Sequence, residues 1–267
     1  MVAPSAAEVT PDWEHFDPVA YLDEYYGDMG TENLELLRFL AETYLSLPKG
    51  GVLLDFGGGP TIYPLISAAT RVDEIHFCDY LEANLDEVRR WIDASPTAFD
   101  WDPFIRKALE LETGEPCTDA EVEQRANRIK ERITRLMRCD ASRRPPIEGP
   151  HGLYDVVLTN FCAESATSDR EQWRTYMANI VSVLKPGGWL VLSALKGASR
   201  YSVGPRYFPA VEIVEDDLVQ LLEASGFARD GMEVRSIAAD RPSREYAGLL
   251  LAVARKKSTQ TRSPRNV

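Results

Sequence analysis

Histidine and patterned cysteine are scarce in this chain. Its 267 residues include three histidines and four cysteines, and Cys78, Cys117, Cys139 and Cys162 show no C-x-x-C spacing. That argues against a zinc site or a disulfide framework and leaves reduced, buried thiols as the expectation, with no metal. No apolar run approaches the ~20 residues that cross a bilayer. The opening MVAPSAAEVTPDW also lacks the basic-then-apolar pattern of a secretory signal. The expected location is the cytoplasm, with no membrane partner. Positive charge is in short supply too: 30 Lys and Arg stand against 42 Asp and Glu, for a formal net charge of −12. Phosphate backbones demand clustered cations, so nucleic acid is not an expected partner. The one basic cluster, ARKKSTQTRSPRNV, is polar and reads as a solvated tail.

What is present fits one α/β core, with 44% apolar residues over a length that commonly forms a single domain. Nothing demands more than a monomer or weak oligomer. The expected division is a disordered start (1–12), one domain (13–257) and a disordered basic tail (258–267). Within the domain, 13–48 reads as a helical lid and 95–137 as a helical insert. FDPVAYLDEYY and TENLELLRFLAETYL are amphipathic, with Thr31 placed to cap the second. Strands are expected at 52–56, 74–78, 154–158, in WLVLSAL and in AGLLLAVAR. Helices are expected at 61–69, 85–92, 170–184 and 215–225, and along TDAEVEQRANRIKERITRLM. Lys185-Pro-Gly-Gly reads as a stop. Strands alternating with helices imply a mostly parallel, doubly wound sheet with ligands at the carboxyl ends of its strands.

The most informative stretch is GVLLDFGGGPTIY (51–63), an apolar strand followed by three glycines and a proline. A dinucleotide fingerprint needs a third glycine, but counting from Gly57 gives Gly59 and then Ile62. Pro60 also removes a backbone donor where a pyrophosphate would rest. A cofactor with adenosine and no phosphates, S-adenosylmethionine, needs neither. Asp79, 24 residues beyond Asp55, stands where an acid accepts hydrogen bonds from a ribose. Cys139-Asp140 at a third strand end suits an adenine amine. Thr159, Asn160 and Phe161 at a fourth would line the floor near the reacting methyl.

These segments, with FDPVAYLDEYY, GPTIY, D-Y-L-E-A-N, FDW, NFCAES and LKPGGWLVLSAL, resemble the nicotinamide, phenylethanolamine and indolethylamine or thioether N-methyltransferases. The resemblance runs from Trp13 to Lys256. It implies a seven-stranded Rossmann-like methyltransferase core, α/β in class, with an N-terminal helical lid. Carried onto this sequence, it implies that Tyr21 and Tyr26 close over the methionine part of the cofactor. Gly57, Gly58, Thr61 and Tyr63 would hold its amino-acid end. Asp79 and Asn84 would take the ribose, with Tyr80 on the adenine, Asp140 and Ala141 at the adenine edge and Thr159 by the amine. Tyr25, Phe161, Glu164, Ser193, Lys196, Arg200 and Glu245 fall at acceptor-contacting positions. Glu164, Glu245 and Tyr21 would be the catalytic set.

Two departures bear on the acceptor. Ser193 stands where the nicotinamide enzyme has an aspartate, and Lys196 where the phenylethanolamine branch has an acid. An amine that also carries an anionic group would suit Glu245 together with Lys196 or Arg200. The expected reaction is methyl transfer from S-adenosylmethionine to the nitrogen of a small amine. O-, S- or C-methylation, a non-catalytic cofactor-binding homologue and a dehydrogenase are the competing readings. Methyl transfer from a sulfonium needs alignment more than a strong base, so the lack of a histidine base is no objection.

Overall fold

In the computed structural model, which describes residues 12–148, 153–240 and 245–258, the run VLLDF forms β1 (Val52–Phe56). β1 pairs in parallel with β2 (Glu74–Asp79) on one side and β4 (Tyr154–Asn160) on the other. Beyond them stand β3 (Ile133–Arg138) and β5 (Leu184–Lys196). β9 (Gly248–Lys256) and β8 (Phe227–Ala238) complete a seven-stranded sheet of order β3-β2-β1-β4-β5-β9-β8. β9 is antiparallel to both β5 and β8. Strand order reverses between β1 and β4, and a crevice opens there at the carboxyl ends.

Alternation within each strand serves two separate cores. Leu53, Ile75, Val156 and Val191 face α2 (Thr31–Ser46), α3 (Leu65–Ala68), α4 (Glu82–Ile92), α5 (Asp102–Thr113) and α6 (Asp119–Arg132). Leu54, Val157, Leu190 and Leu250 face α7 (Arg170–Ser182) and α8 (Glu215–Ala224). Burying both faces explains why the parallel strands read as near-continuous apolar runs.

Ahead of the sheet, α1 (Pro18–Tyr26) starts on Asp17, whose carboxylate accepts from the nitrogens of Val19 and Ala20, with Pro18 at the first helical position. Thr31, expected as the cap of α2, is instead its first helical residue, and Gly30 occupies the cap. α1 packs beneath a two-stranded hairpin, β6 (Arg200–Val203) and β7 (Arg206–Pro209), which no sequence signal announced.

Other expectations change for physical reasons. The helix expected through Met137 starts on a Thr118–Glu121 capping box but stops at Arg132; ITRLMR is captured as β3 by the open edge of β2. Lys185-Pro-Gly-Gly is no stop. It lies inside β5, looped out where the register jumps from Tyr154–Leu184 to Val156–Trp189, with Gly187 at φ 78°. Of residues 61–69 only Leu65–Ala68 is helical. β8 was missed because half of this outer strand is exposed and charged residues interrupt its apolar ones. The tail beyond Ser258 and residues 1–11 lie outside the described residues. Among the described residues, no helix is long and apolar enough to cross a membrane.

Candidate active site

At the end of β1 the chain turns through Gly57 (φ 68°) and Gly59 (φ 62°), both in the left-handed region. A Cβ on Gly57 would come 2.2 Å from Cys162 Sγ, and one on Gly58 would come 2.4 Å from the Phe77 ring. Only glycine fits so close to its neighbours. The nitrogens of Gly57 and Gly58 donate to Cys78 O at 2.9 and 3.2 Å, and Thr61 Oγ1 donates to Gly58 O at 2.8 Å.

Asp79 ties this turn to the next one. Its Oδ2 accepts from Gly59 N at 2.9 Å; its Oδ1 accepts from Leu81 N at 2.8 Å and Asn84 Nδ2 at 2.9 Å. Burial raises its pKa despite those donors. Asn84 is buried too, and its Oδ1 has no partner.

These groups line a cavity of about 320 Å³. Of the expected cofactor residues, Tyr21, Tyr26, Gly57, Gly58, Thr61, Tyr63, Asp79, Tyr80, Asn84, Asp140 and Ala141 all line it; Thr159 is buried behind its wall. Tyr25 and Phe161 line it as well. Tyr26 sits 5.1 Å from Tyr63 and 5.9 Å from Tyr21, ring centre to ring centre, and burial lifts all three phenols well above their usual pKa. They are therefore neutral hydroxyl donors, suited to a carboxylate.

The wall's charge decides which cofactor fits. Among the described lining residues five are acids (Asp28, Glu32, Asp79, Asp140 and Asp240) and none is Lys, Arg or His. A pyrophosphate would meet carboxylates and no counter-charge. A sulfonium with an α-ammonium finds opposite charge, and the orphaned Asn84 Oδ1 offers an acceptor for a ribose hydroxyl. The residues fit S-adenosylmethionine. Among the described residues no cluster of His, Cys, Asp and Glu suits a metal ion.

The acceptor residues expected from sequence fare differently. Ser193 is buried and donates to Asn160 Oδ1. Lys196 Nζ donates to Glu215 at 2.5 Å, and Arg200 Nε donates to Glu245 at 2.9 Å. Glu164 is buried one residue behind the wall, accepting from Leu195 N at 3.0 Å and Ser165 Oγ at 3.2 Å, and burial pushes its pKa up to about 7. None of these lines the cavity. The expectation that Lys196 or Arg200 meets an anionic group on the acceptor gains no support here, since each is paired with its own glutamate and neither lines the cavity.

Sequence reasoning missed others. Glu32, Asn33, Tyr201 and Asp240 line the same cavity. Glu32 accepts from Tyr246 Oη at 2.7 Å and from Asp240 N at 3.0 Å, joining the first turn of α2 to the end of β8. Glu32 reads in sequence as an ordinary first-turn acid. Asp240 follows a strand that the sequence did not disclose.

Sheet order, glycine turn and acid-walled cavity define the class: a methyltransferase dependent on S-adenosylmethionine. Two solved structures share the fold at low sequence identity. One is an S-adenosylmethionine-dependent methyltransferase of Methanosarcina mazei, at 14% identity and TM-score 0.52, covering 81% of this chain and 97% of that one. The other, from Clostridium acetobutylicum, has 10% identity and TM-score 0.53, covering 90% and 98%. The chain belongs to the NNMT/PNMT/TEMT family, whose pattern matches residues 6–257. It is 32% identical to nicotinamide N-methyltransferase of Sus scrofa, over 91% of this chain and 94% of that protein. Indolethylamine N-methyltransferase of Mus musculus is 31% identical, over 92% and 95%. Human phenylethanolamine N-methyltransferase is 32% identical, over 84% and 82%.

Proposed function

We propose that this protein moves the methyl group of S-adenosylmethionine to the nitrogen of a small amine that carries no anionic group. The observation carrying this reading is the cavity wall, with its five carboxylates and no cation among the described residues. Bound there, the cofactor supplies a methyl already activated by the sulfonium.

The protein's part is to bind, align and exclude water, and positioning of this kind can be worth ~7–11 kcal/mol of barrier. Tyr21, Tyr26 and Tyr63 offer hydroxyls to the cofactor's carboxylate. Asp79 and Asn84 address its ribose, and Tyr80, Asp140 and Ala141 surround its adenine. Tyr25, Phe161 and Tyr201 wall the acceptor, and aromatic faces suit a flat or cationic amine. The nitrogen attacks as the neutral amine. Glu32 and Asp240, in the cavity wall, can take its proton directly or through water, a role that passes to them from Glu164 and Glu245.

A labelled-methyl screen over pyridines, arylalkylamines, amino acids, phenols and thiols tests this. Amines without a carboxylate should be labelled on nitrogen. Preference for amino acids, or label on oxygen or sulfur, would overturn the proposal.

A further inference from the structure

Among the buried ionisable groups that the mechanism leaves unused, one is a carboxyl with no hydrogen-bond partner. Asp55, in the last turn-ward half of β1, has no solvent exposure, and neither carboxyl oxygen has a hydrogen-bond partner. One of these oxygens lies 3.0 Å from the point where a Cβ on Gly58 would sit, so the carboxyl is packed directly beneath the glycine turn. A buried carboxylate without partner or counter-charge is strongly disfavoured. The groups that face Asp55 are Tyr44 from α2, Tyr63 after the turn, and Cys78 and Asp79 from β2. None is a cation. Burial, with the charge of Asp79 adding to it, holds Asp55 well above the usual carboxylate range. What this position lacks is a positive charge on the cavity side of the turn.

The cofactor's amino-acid end carries a carboxylate and an ammonium on one carbon. The three tyrosine hydroxyls suit the first, which leaves the glycine turn for the second. We propose that Asp55 is the buried counter-charge of the cofactor's α-ammonium, acting through the Gly57–Gly59 turn as a positioning residue. This rests on the cofactor reading given under Proposed function. In the free protein Asp55 carries a proton. When the ammonium settles on the turn, the carboxyl ionises and that proton passes to solvent, with no other bond made or broken.

The test is calorimetry with S-adenosylhomocysteine and methylthioadenosine in buffers of different protonation enthalpy. Both ligands carry adenosine and a thioether; only the first has the amino-acid end. Work between about pH 5.5 and 6.5 keeps the ligand's α-amine protonated. S-adenosylhomocysteine should release up to one proton, with affinity rising towards tenfold per pH unit at the limit. Methylthioadenosine should release none from this source, and any contribution of Asp79, which faces the shared ribose, is common to both. Asp55→Asn keeps the shape and should bind S-adenosylhomocysteine without the released proton or the pH slope. If that variant fails to fold, the two-ligand comparison on the unaltered protein decides alone. Equal proton release with both ligands, or undiminished release in Asp55→Asn, would overturn the assignment to Asp55 while leaving the cofactor reading intact. Failure of both ligands to bind would instead remove the cofactor reading, and this inference with it.

Discussion

Asp79 accepts hydrogen bonds from Gly59 N, Leu81 N and Asn84 Nδ2, so a single carboxylate joins the glycine turn to the start of α4. Its removal therefore touches both stability and binding. Asp79→Ala should cost ~1–3 kcal/mol by thermal melting, because three donors lose their acceptor in a buried place, and should also abolish S-adenosylhomocysteine binding. A variant with native melting and native affinity would refute both roles. Gly57→Ala meets two obstacles, a left-handed φ of 68° and Cys162 Sγ at 2.2 Å from the new methyl. A loss of ~1–3 kcal/mol is expected from the overpacking, with cofactor affinity falling at least tenfold; chemical denaturation and calorimetry read the two separately. The places of Asp79 and Gly57 in the cavity wall were legible, since they follow from a local strand–turn–strand pattern. For Lys196 and Arg200, proposed acceptor residues that do not line the cavity, sequence carries less. Their availability depends on whether Glu215 and Glu245, 19 and 45 residues further along, swing in to neutralise them.

Between elements, α1 and the β6–β7 hairpin form one cover over the cavity. Tyr25 Oη donates to Ser202 O at 2.9 Å, and Glu24 accepts from Ser202 Oγ at 2.9 Å and Gly204 N at 3.0 Å. Trp13 stacks on Phe208 at 5.2 Å. Glu24→Ala should free the two segments from each other without unfolding the sheet. The expected result is faster S-adenosylhomocysteine dissociation by stopped flow, with the melting midpoint shifted by a few degrees at most. An unchanged off-rate would show that Glu24 holds nothing that matters to the ligand. The helical half of this cover was legible from its amphipathic period. The hairpin was not, because RYSV and RYFP are four-residue strands that exist only by pairing with each other over α1. β3 shows the same limit from the other side: ITRLMR, which continues the amphipathic run of α6, ends as a strand because an open sheet edge lies beside it.

For the whole molecule, buried acids set the response to pH. Glu164 has its pKa raised to about 7, and Asp55 and Asp79 are raised as well. In the unfolded chain these groups ionise near pH 4 to 4.5. Between those values and the raised ones the folded state binds more protons, so stability falls as pH rises through this window. Melting temperature should decline from about pH 5 to pH 7.5, and Glu164→Gln should flatten the decline by up to ~3 kcal/mol, an upper bound from the shift. A melting temperature that rises over the same range would contradict the assignment. Glu215, pulled down to about 2 by Lys196, gives stability that is lost only at lower pH, as it protonates below about pH 4.5. The parallel order of the sheet was legible because alternating strand and helix signals leave few topologies. Its outermost strand was not, since an exposed edge needs little hydrophobic signature.

The acid wall of the cavity also bears on turnover. Methyl transfer strips the sulfur of its positive charge, so the spent donor leaves with one charge fewer than the fresh one had on arrival. A wall carrying five carboxylates and no described cation holds the more positive molecule better. The protein's own field should thereby bias the exchange of used for fresh donor forward. S-adenosylmethionine should bind more tightly than S-adenosylhomocysteine at low ionic strength, and added salt should narrow the gap.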